Sequence, residues 1–312
     1  MRRALIYTTI ALGLLYVIRV VEYAGVRKSQ GGEFEKLETV FEKENDFDLV
    51  VIGSSRAECQ YYTPLIDSLC GTHSYNLGMT GATMPFIAST LEAYLVHSAA
   101  PKYVVLNLDL HSLGDNNDTV YRFPRYFPFL DNEKLYGGLQ EHDGRFVFFK
   151  WLPFYSMPYF NNRYLSNSVH GWMNTPTQFD TTYEQGFSPS IIDTTWGNYN
   201  TASMVKTNAR IPQAVWDAFY RIVQICKDNH CKLILSVSPL YWRQEAAAEE
   251  YPNALNYFSM YAQLHEVPLI DLGHSLERYD QHFYSDPAHL NKFGARSFTN
   301  NFSHALRQYL TE

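Results

Sequence analysis

The chain has 312 residues, enough for one large domain or two modest ones, and 46% hydrophobic with 18% charged residues describes a folded protein. The net charge is −7, from 32 acidic and 25 basic residues, and no long basic run could follow a phosphate backbone. Composition therefore excludes a disordered chain and argues against nucleic-acid binding.

The first predicted element is an apolar segment at the N-terminus. Residues 4–18 carry no charge and follow Arg2 and Arg3. With the valines beyond Arg19 the segment is long enough to span a bilayer if that arginine snorkels to the interface. We predict a membrane anchor over residues 1–25, with a cytoplasmic N-terminus by the positive-inside rule and an extracytoplasmic, periplasmic remainder.

Two alternatives exist for this segment. A cleaved signal peptide needs small residues after the apolar run, and the nearest are Ala24 and Gly25, preceded by Glu22 and Tyr23. Cleavage there would give a secreted protein. The other alternative is a buried helix of a soluble domain.

Residues 26–46 are polar and charged, which predicts a tether with a short helix around Phe34 to Lys43, and the folded domain follows over residues 47–312. Short β-branched runs predict buried strands. They are Asp48 to Ile52, Ser74 to Leu77, Tyr103 to Leu110, Lys232 to Val237 and Val267 to Leu272. Helical spacing lies between and after them. These segments are Ala57 to Ser68, Thr83 to His97, Pro212 to Asp228, Gln244 to His265 and Ala288 to Leu310. The alternation predicts an α/β fold with a central parallel sheet and helices on both faces.

A stretch at about residues 112–209 interrupts the alternation. It is rich in Tyr, Phe, Trp, Asn and Pro and lacks a sustained helical or strand period. We interpret it as an insertion that forms a cap or cleft wall over the sheet, or else an irregular sub-core packed for stability or a surface lying near the membrane.

Four cysteines fit an exported chain. Cys59, Cys70, Cys226 and Cys231 permit up to two disulfides, in three possible pairings, and no spacing among them is typical of a zinc site. Alternatively they are small buried thiols.

Ser55 is the candidate nucleophile. The first strand ends in Gly53-Ser54-Ser55-Arg56, and a helix follows at once. A serine on such a turn has an exposed hydroxyl and a backbone N–H at a helix N-terminus, where negative charge is favoured. An ordinary N-cap serine has the same pattern.

Asp286 and His289 favour Ser55 as a nucleophile over Ser55 as an ordinary N-cap residue, because they can act as its acid and base partners. They lie three residues apart after the last strand, with Pro287 suited to a first helical turn. Asp286 can then accept from His289 Nδ1–H and leave Nε2 free to take a proton from a serine. With Ser55 they predict a Ser-His-Asp triad.

The sequence resembles the SGNH hydrolases, or GDSL-type esterases, which have a three-layer α/β/α fold. Gly53-Ser54-Ser55 is similar to the first block of the family, and Asp286-Pro-Ala-His289 with Leu290, Asn291 and Gly294 matches the last. Ser54 replaces the usual acidic residue, as in membrane-anchored members that serve envelope-polymer acylation. The resemblance spans roughly Asp48 to Leu310 without the insertion.

The resemblance also implies an oxyanion hole. Tyr75-Asn76-Leu-Gly78-Met-Thr-Gly81 resembles the second block, whose glycine donates a backbone N–H together with the nucleophile; we place it at Gly81, with Gly78 as the alternative. The third block departs from the family, because Asp109 stands where an Asn side chain is expected and a carboxylate would repel an oxyanion. Asn107, His111 and Arg56 are the other candidates for that donor.

These residues predict acyl transfer through an acyl-serine, without metal or organic cofactor. We expect an esterase or O-acyltransferase acting on acyl, preferably acetyl, esters of an envelope polysaccharide, with Arg56 and Tyr284 contacting substrate. If acyl groups are transferred, the resemblance implies a membrane-bound acyltransferase partner. The alternatives are a catalytically silent glycan-binding scaffold and a lipolytic or thioester hydrolase.

Overall fold

A computed structural model describes residues 1–114, 120–152, 154–159, 162–176, 183–190, 211–242 and 251–310. Within these ranges, five parallel strands form a sheet in the order β2-β1-β3-β4-β5. They are β1 (Leu49–Ile52), β2 (Ser74–Asn76), β3 (Tyr103–Asn107), β4 (Lys232–Val237) and β5 (Leu269–Asp271). All five predicted strands are therefore present. The strand order reverses between β1 and β3, where the carboxyl ends of open α/β sheets form a ligand crevice.

Eleven α-helices are described in these ranges. They are α1 (Arg2–Arg27), α2 (Gly32–Phe41), α3 (Ser55–Gln60), α4 (Thr63–Cys70), α5 (Met84–Tyr94), α6 (Glu133–His142), α7 (Phe146–Trp151), α8 (Asn162–Met173), α9 (Gln213–Asp228), α10 (Tyr251–Leu264) and α11 (Lys292–Leu306). The helix predicted over Ala57 to Ser68 is two helices, because the backbone at Tyr61 is extended. The first part of the helix predicted from Gln244 lies outside the described residues.

The predicted layering is confirmed by the two cores. On one face, Val104 and Leu106 of β3 pack with residues of α2, α5, α9 and α10. On the other face, Tyr103 and Val105 of β3 pack with residues of α3, α4 and α11. Successive strand residues point to opposite sides, so a continuous apolar run fills both cores. The domain is a three-layer α/β/α sandwich.

The segment expected to be a tether is part of this sandwich. Val40 and Phe41 of α2 are fully buried in the core that contains α5, and Lys36 is only 2% exposed. The predicted short helix is present, but the idea of a free tether is wrong. The cause is the apolar stripe of α2, which the charges around it obscure in the sequence.

The insertion contains regular structure that the sequence pattern did not predict. A 3₁₀ helix (Phe123–Phe129) and helices α6, α7 and α8 lie in its described part. Phe127 packs on Phe149 with ring centroids 4.5 Å apart, and Phe123 packs on Tyr159 at 5.1 Å. The aromatic residues thus form an aromatic sub-core that is continuous with the core containing α2 and α5, in agreement with the expected packing for stability. Residues 115–119, 153, 160–161, 177–182 and 191–209 of the insertion lie outside the described residues.

The four cysteines form no disulfide. Cys226 is 2% exposed and packs in the core against β4, whereas the other three are half-buried. The alternative of unpaired thiols therefore holds, and the possibility of disulfides is wrong for this structure.

Candidate active site

Ser55 lies at the carboxyl edge of the sheet, where β1 turns directly into α3. Gly53 makes this turn possible, because a Cβ at this position would lie 2.6 Å from the Ala57 Cβ. Ser54 is the N-cap of α3, and its Oγ accepts a hydrogen bond from the Arg56 N–H at 3.4 Å. Ser55 is therefore the first residue of the helix, as the sequence predicted.

The structure brings Ser55, His289 and Asp286 together. Ser55 Oγ is 2.8 Å from His289 Nε2, although the two residues are 234 positions apart in the chain. His289 Nδ1 is 2.8 Å from Asp286 Oδ2 and 2.9 Å from Oδ1. The hydroxyl, imidazole and carboxylate thus form a continuous hydrogen-bonded series with the geometry of a nucleophile, a base and its orienting acid.

Hydrogen bonds keep the carboxylate of Asp286 ionised. Burial by itself raises its pKa, but the donors at His289 Nδ1 and at the backbone N–H groups of Ala288 and His289 outweigh burial and lower the pKa below its usual value. An ionised Asp286 carboxylate favours the His289 tautomer that carries its proton on Nδ1. His289 Nε2 is then left as an acceptor for the Ser55 proton.

The backbone between the two residues differs from the expectation. Asp286 and His289 face each other across a tight antiparallel hairpin, β6 (Tyr284–Asp286) and β7 (His289–Leu290). The first helical turn predicted at Pro287 is wrong, and α11 begins only at Lys292. The reason is local, because Asp286 Oδ1 accepts from the N–H groups of Ala288 and His289 and so closes a turn.

Asp109 is not an oxyanion donor. Its fully buried carboxylate accepts hydrogen bonds from Ser54 Oγ at 2.7 Å and from the N–H groups of His111 and Ser112 at 2.9 and 3.0 Å. Asn107 Nδ2 donates to the same carboxylate at 3.2 Å. Asp109 instead links the turn after β3 to the N-cap of α3, which explains why Ser54 and Asp109 occur together in this chain.

Asn107 is also excluded as the third donor. It is fully buried, its Nδ2 is bonded to Asp109, and its Oδ1 accepts from Tyr61 Oη at 2.8 Å. His111 follows on the same turn and is half-buried. Of the third-block candidates, His111 is the one whose side chain is neither fully buried nor bonded to Asp109.

The second-block glycines differ in their hydrogen bonds. The N–H of Gly78 donates to Asn76 Oδ1 at 2.9 Å, so the alternative placement is excluded. Gly81 occupies a turn with φ +76°, and a side chain there would collide with Tyr121. Among the described residues, the N–H groups of Ser55 and Gly81 donate no hydrogen bond. Both residues are half-buried.

The two residues predicted to contact substrate are core residues instead. Arg56 is 3% exposed and donates from Nη2 to the Ser238 carbonyl at 2.6 Å. Tyr284 is 2% exposed, with its ring packed edge-on against Tyr241 at 5.5 Å. Their own packing separates both side chains from solvent, so the substrate-contact prediction is wrong for each.

A buried ion pair next to the site was missed by sequence reasoning. Lys36 Nζ on α2 is 3.0 Å from Glu58 Oε1 on α3, with side-chain exposures of 1% and 4%, and it also donates to the Gly78 carbonyl. Glu58 Oε2 accepts from Thr80 N at 3.0 Å and from Thr80 Oγ1. The pair therefore joins α2, α3 and the loop that carries Gly81. In the sequence Lys36 looks like one charge of a solvated helix face.

The described end of the insertion borders the site. Ser190 forms a β-bridge with Asn291, two residues beyond His289, and Ser285 Oγ is 2.6 Å from Ser190 Oγ. The N–H of Ser188 donates to the Glu58 carbonyl at 3.1 Å. This short segment is consistent with the cleft-wall reading of the insertion.

No family model matches the chain, and no curated protein matches it. Similar solved structures include a putative acylhydrolase from Bacteroides fragilis, at TM-score 0.45 and 14% identity over 86% of this chain and 89% of that one. A putative lipolytic protein of the G-D-S-L family from Desulfitobacterium hafniense has TM-score 0.43 and 12% identity over 83% and 98%. A GDSL-like lipase from Bacteroides thetaiotaomicron has TM-score 0.42 and 13% identity over 86% and 90%. Likenesses this distant assign neither family nor reaction, so the function is inferred from the chain's own residues.

Proposed function

We propose that the protein is a serine-dependent esterase or O-acyltransferase that acts on acyl esters, preferably acetyl esters, of an extracytoplasmic polysaccharide. The observation that supports this proposal is the hydrogen-bonded series Ser55 Oγ, His289 Nε2, His289 Nδ1 and Asp286. The three groups stand in the order that nucleophilic acyl transfer requires.

In the proposed mechanism, Ser55 Oγ attacks the ester carbonyl carbon while His289 Nε2 takes its proton. The N–H groups of Ser55 and Gly81 hold the resulting oxyanion. The tetrahedral intermediate collapses, the leaving alcohol takes the proton from His289, and an acyl-serine remains. A water or a sugar hydroxyl then loses its proton to Nε2 and attacks the acyl-serine carbonyl carbon. The bond from that carbon to Ser55 Oγ breaks, Oγ takes the proton back from Nε2, and the free acid or the acylated sugar leaves.

The proposed extracytoplasmic location of the substrate rests on α1 remaining attached as a membrane anchor. Among the described residues, α1 is the one helix long and apolar enough to cross a membrane. Its last turns belong to the folded domain, since Tyr23 is 9% exposed and Val26 is fully buried in the core. Cleavage near Ala24 would remove part of this packing. We therefore propose a single-pass anchor with Arg2 and Arg3 in the cytoplasm and the domain outside.

An extracytoplasmic position is compatible with an envelope glycan as acyl acceptor or donor. If the protein transfers acyl groups, its activated donor has to cross the membrane, so the proposal includes a membrane-bound acyltransferase as partner.

A fluorophosphonate probe on the full-length protein in detergent tests for an active nucleophile. We expect covalent labelling that is lost in Ser55→Ala and His289→Ala and retained in Ser68→Ala, which changes an exposed serine of α4. Labelling that persists in Ser55→Ala, or a folded wild-type protein that is not labelled, contradicts the proposal.

The scaffold alternative is favoured by one observation, the engagement of Asn107 and Asp109 with each other, which removes the usual side-chain donor. Loss of one donor costs about 100- to 1000-fold in rate. An unlabelled but folded protein would support this alternative.

Nitrophenyl esters of increasing chain length separate the acetyl from the lipolytic reading. We expect kcat/KM to fall beyond butyrate, because Phe123, Phe127, Phe149 and Tyr159 of the described part of the insertion are engaged in packing on each other. Higher kcat/KM for octanoate than for acetate would contradict acetyl specificity. Mass spectrometry of added oligosaccharide acceptors then distinguishes transfer from hydrolysis.

A further inference from the structure

Helix α8 exposes one apolar face. Leu165, Val169, Trp172 and Met173 are 52%, 55%, 49% and 65% exposed. Their spacing of four, three and one residues places them along one side of the helix. The adjacent side, with Ser168 and Gly171, packs against α1, and Trp172 lies at the edge between the two sides. An apolar face of this kind on a folded helix is typical of an interaction surface.

The end of α7 adds to the same surface. Phe148 and Trp151 are 47% and 67% exposed, whereas Phe149 between them is buried in the aromatic sub-core. We call Phe148, Trp151, Leu165, Val169, Trp172 and Met173 the α7–α8 patch.

Hydrogen bonds to α1 fix the level of the patch along the anchor. Arg19 Nη1 donates to the Lys150 carbonyl at 3.0 Å, and Trp172 Nε1 donates to the Val21 carbonyl at 2.9 Å. The apolar run that begins at Ala4 ends at this level. At 1.5 Å per residue, 4–21 spans about 27 Å, close to the roughly 30 Å hydrocarbon thickness of a bilayer. The end of the patch formed by Trp151 and Trp172 therefore lies where a spanning α1 would leave the hydrocarbon.

The contact between α1 and α8 is too close for the patch to be loosely attached. Gly25 and Gly171 face each other, and a Cβ on Gly171 would overlap the Gly25 carbonyl. Tyr23 Oη also donates to Ser156 Oγ at 3.0 Å. The orientation of the patch is thus coupled to that of the anchor.

The residues around the patch match the chemistry of a lipid headgroup region. Lys28 Nζ lies 4.1 Å from the ring centroid of Trp172, and Lys150 Nζ lies 5.6 Å from that of Trp151. Tryptophan prefers the membrane interface, and lysine beside it can reach lipid phosphates.

We infer that the α7–α8 patch inserts into the membrane–water interface beside α1, on the extracytoplasmic side of the membrane. The domain then lies on the lipid surface and is not connected to the anchor by a flexible linker. The inference rests on the proposed membrane-spanning role of α1 and is independent of the acyl-transfer chemistry. Continuity with the exposed apolar surface of α1 identifies lipid as the occupant of the patch.

The test uses tryptophan fluorescence, because α1 contains no tryptophan and any quenching from within the bilayer must come from the folded domain. Full-length protein is reconstituted in phosphatidylcholine–phosphatidylglycerol vesicles with or without brominated acyl chains. We expect marked quenching in the wild type and loss of most of it in a Trp151→Phe, Trp172→Phe double variant. A Trp216→Phe control, which changes a ring stacked on Phe258 at 4.9 Å away from α1, should keep it.

Equal quenching of the double variant and the wild type, or no quenching of either, would overturn the inference. Carbonate extraction of the same vesicles separates the two ways of failing. Extracted protein means that α1 does not span the bilayer, whereas retained protein without tryptophan quenching means that the patch does not meet lipid. Leu165→Asp combined with Met173→Asp gives a second variant at exposed positions, and it should lower quenching at unchanged melting temperature.

Discussion

Asp286→Asn is expected to lower kcat for ester cleavage by about 10⁴-fold with little change in KM. The Asn Oδ1 can still accept from the N–H groups of Ala288 and His289, so the hairpin keeps its geometry. Its Nδ2 takes the place of Oδ2 next to His289 Nδ1 and must donate. The imidazole is then held with its proton on Nε2, and it cannot accept the Ser55 proton.

The chain provides a matched control for this change. Asp280 Oδ1 lies 2.9 Å from His282 Nδ1 in an exposed Asp–His pair close to the triad in sequence. Asp280→Asn makes the same chemical change away from Ser55 and should leave kcat unaltered. Steady-state kinetics with nitrophenyl acetate measure both variants. If Asp286→Asn keeps more than a tenth of the wild-type kcat, the orienting role of Asp286 is wrong.

Lys36→Met is expected to lower the free energy of unfolding by about 3–5 kcal/mol, because it leaves Glu58 charged and buried without its partner. Activity should fall as well, since Glu58 also accepts from Thr80, which precedes Gly81. Chemical denaturation in detergent micelles measures the change in stability.

Two further variants distinguish this effect from simple loss of a charge. Lys102→Met removes an exposed partner of Asp48, at 2.8 Å, and should change stability little. Glu58→Gln added to Lys36→Met removes the unpaired charge but keeps an acceptor for Thr80, so it should recover part of the stability. A Lys36→Met protein as stable as Lys102→Met would contradict a structural role for the buried pair.

The pH dependence provides an internal check on the same pair. Burial raises the pKa of Glu58, but Lys36 and Thr80, with Arg125 nearby, outweigh burial and hold the pKa below its usual value. A lowered carboxylate pKa contributes stability above the unfolded value of about 4.3, and this contribution is lost as pH falls through the folded value. Without Lys36, burial raises the pKa of Glu58 in the variant, so the variant takes up this proton at a higher pH than the wild type. The difference in stability between wild type and Lys36→Met, measured by chemical denaturation across the pH range, should therefore be largest near neutral pH and shrink as the pH falls.

Much of the site could be predicted from sequence because its parts obey local rules. Each strand of the sheet is a short apolar run. Ser55 and Asp109 follow β1 and β3 closely, and Asp286 lies further along the chain after β5. The carboxyl ends of parallel strands share one edge of a sheet, so residues at these ends converge regardless of their separation in the chain. The meeting of Ser55 with His289 is an instance of this rule.

Other features could not be predicted, because they depend on which segments meet in space. Lys36 is buried because Glu58 pairs with it, and the Asp109 carboxylate is occupied because Ser54 Oγ donates to it. In each pair the two residues belong to different elements of the fold. In the insertion, aromatic side chains occupy both the buried and the exposed sides of α7, so no amphipathic period marks the helix.

The sequence alone determined the five strands in chain order, the helical segments that alternate with them outside the insertion, the apolar N-terminal segment and the proposal of Ser55, His289 and Asp286 as a triad, since these depend on local hydrophobicity and residue type. Only the tertiary structure decided which polar groups are buried, which hydrogen bonds they use and which aromatic residues face outward. Those properties arise from contacts between distant segments, and the free energy of a buried charge or hydrogen bond depends on the partner that the fold supplies.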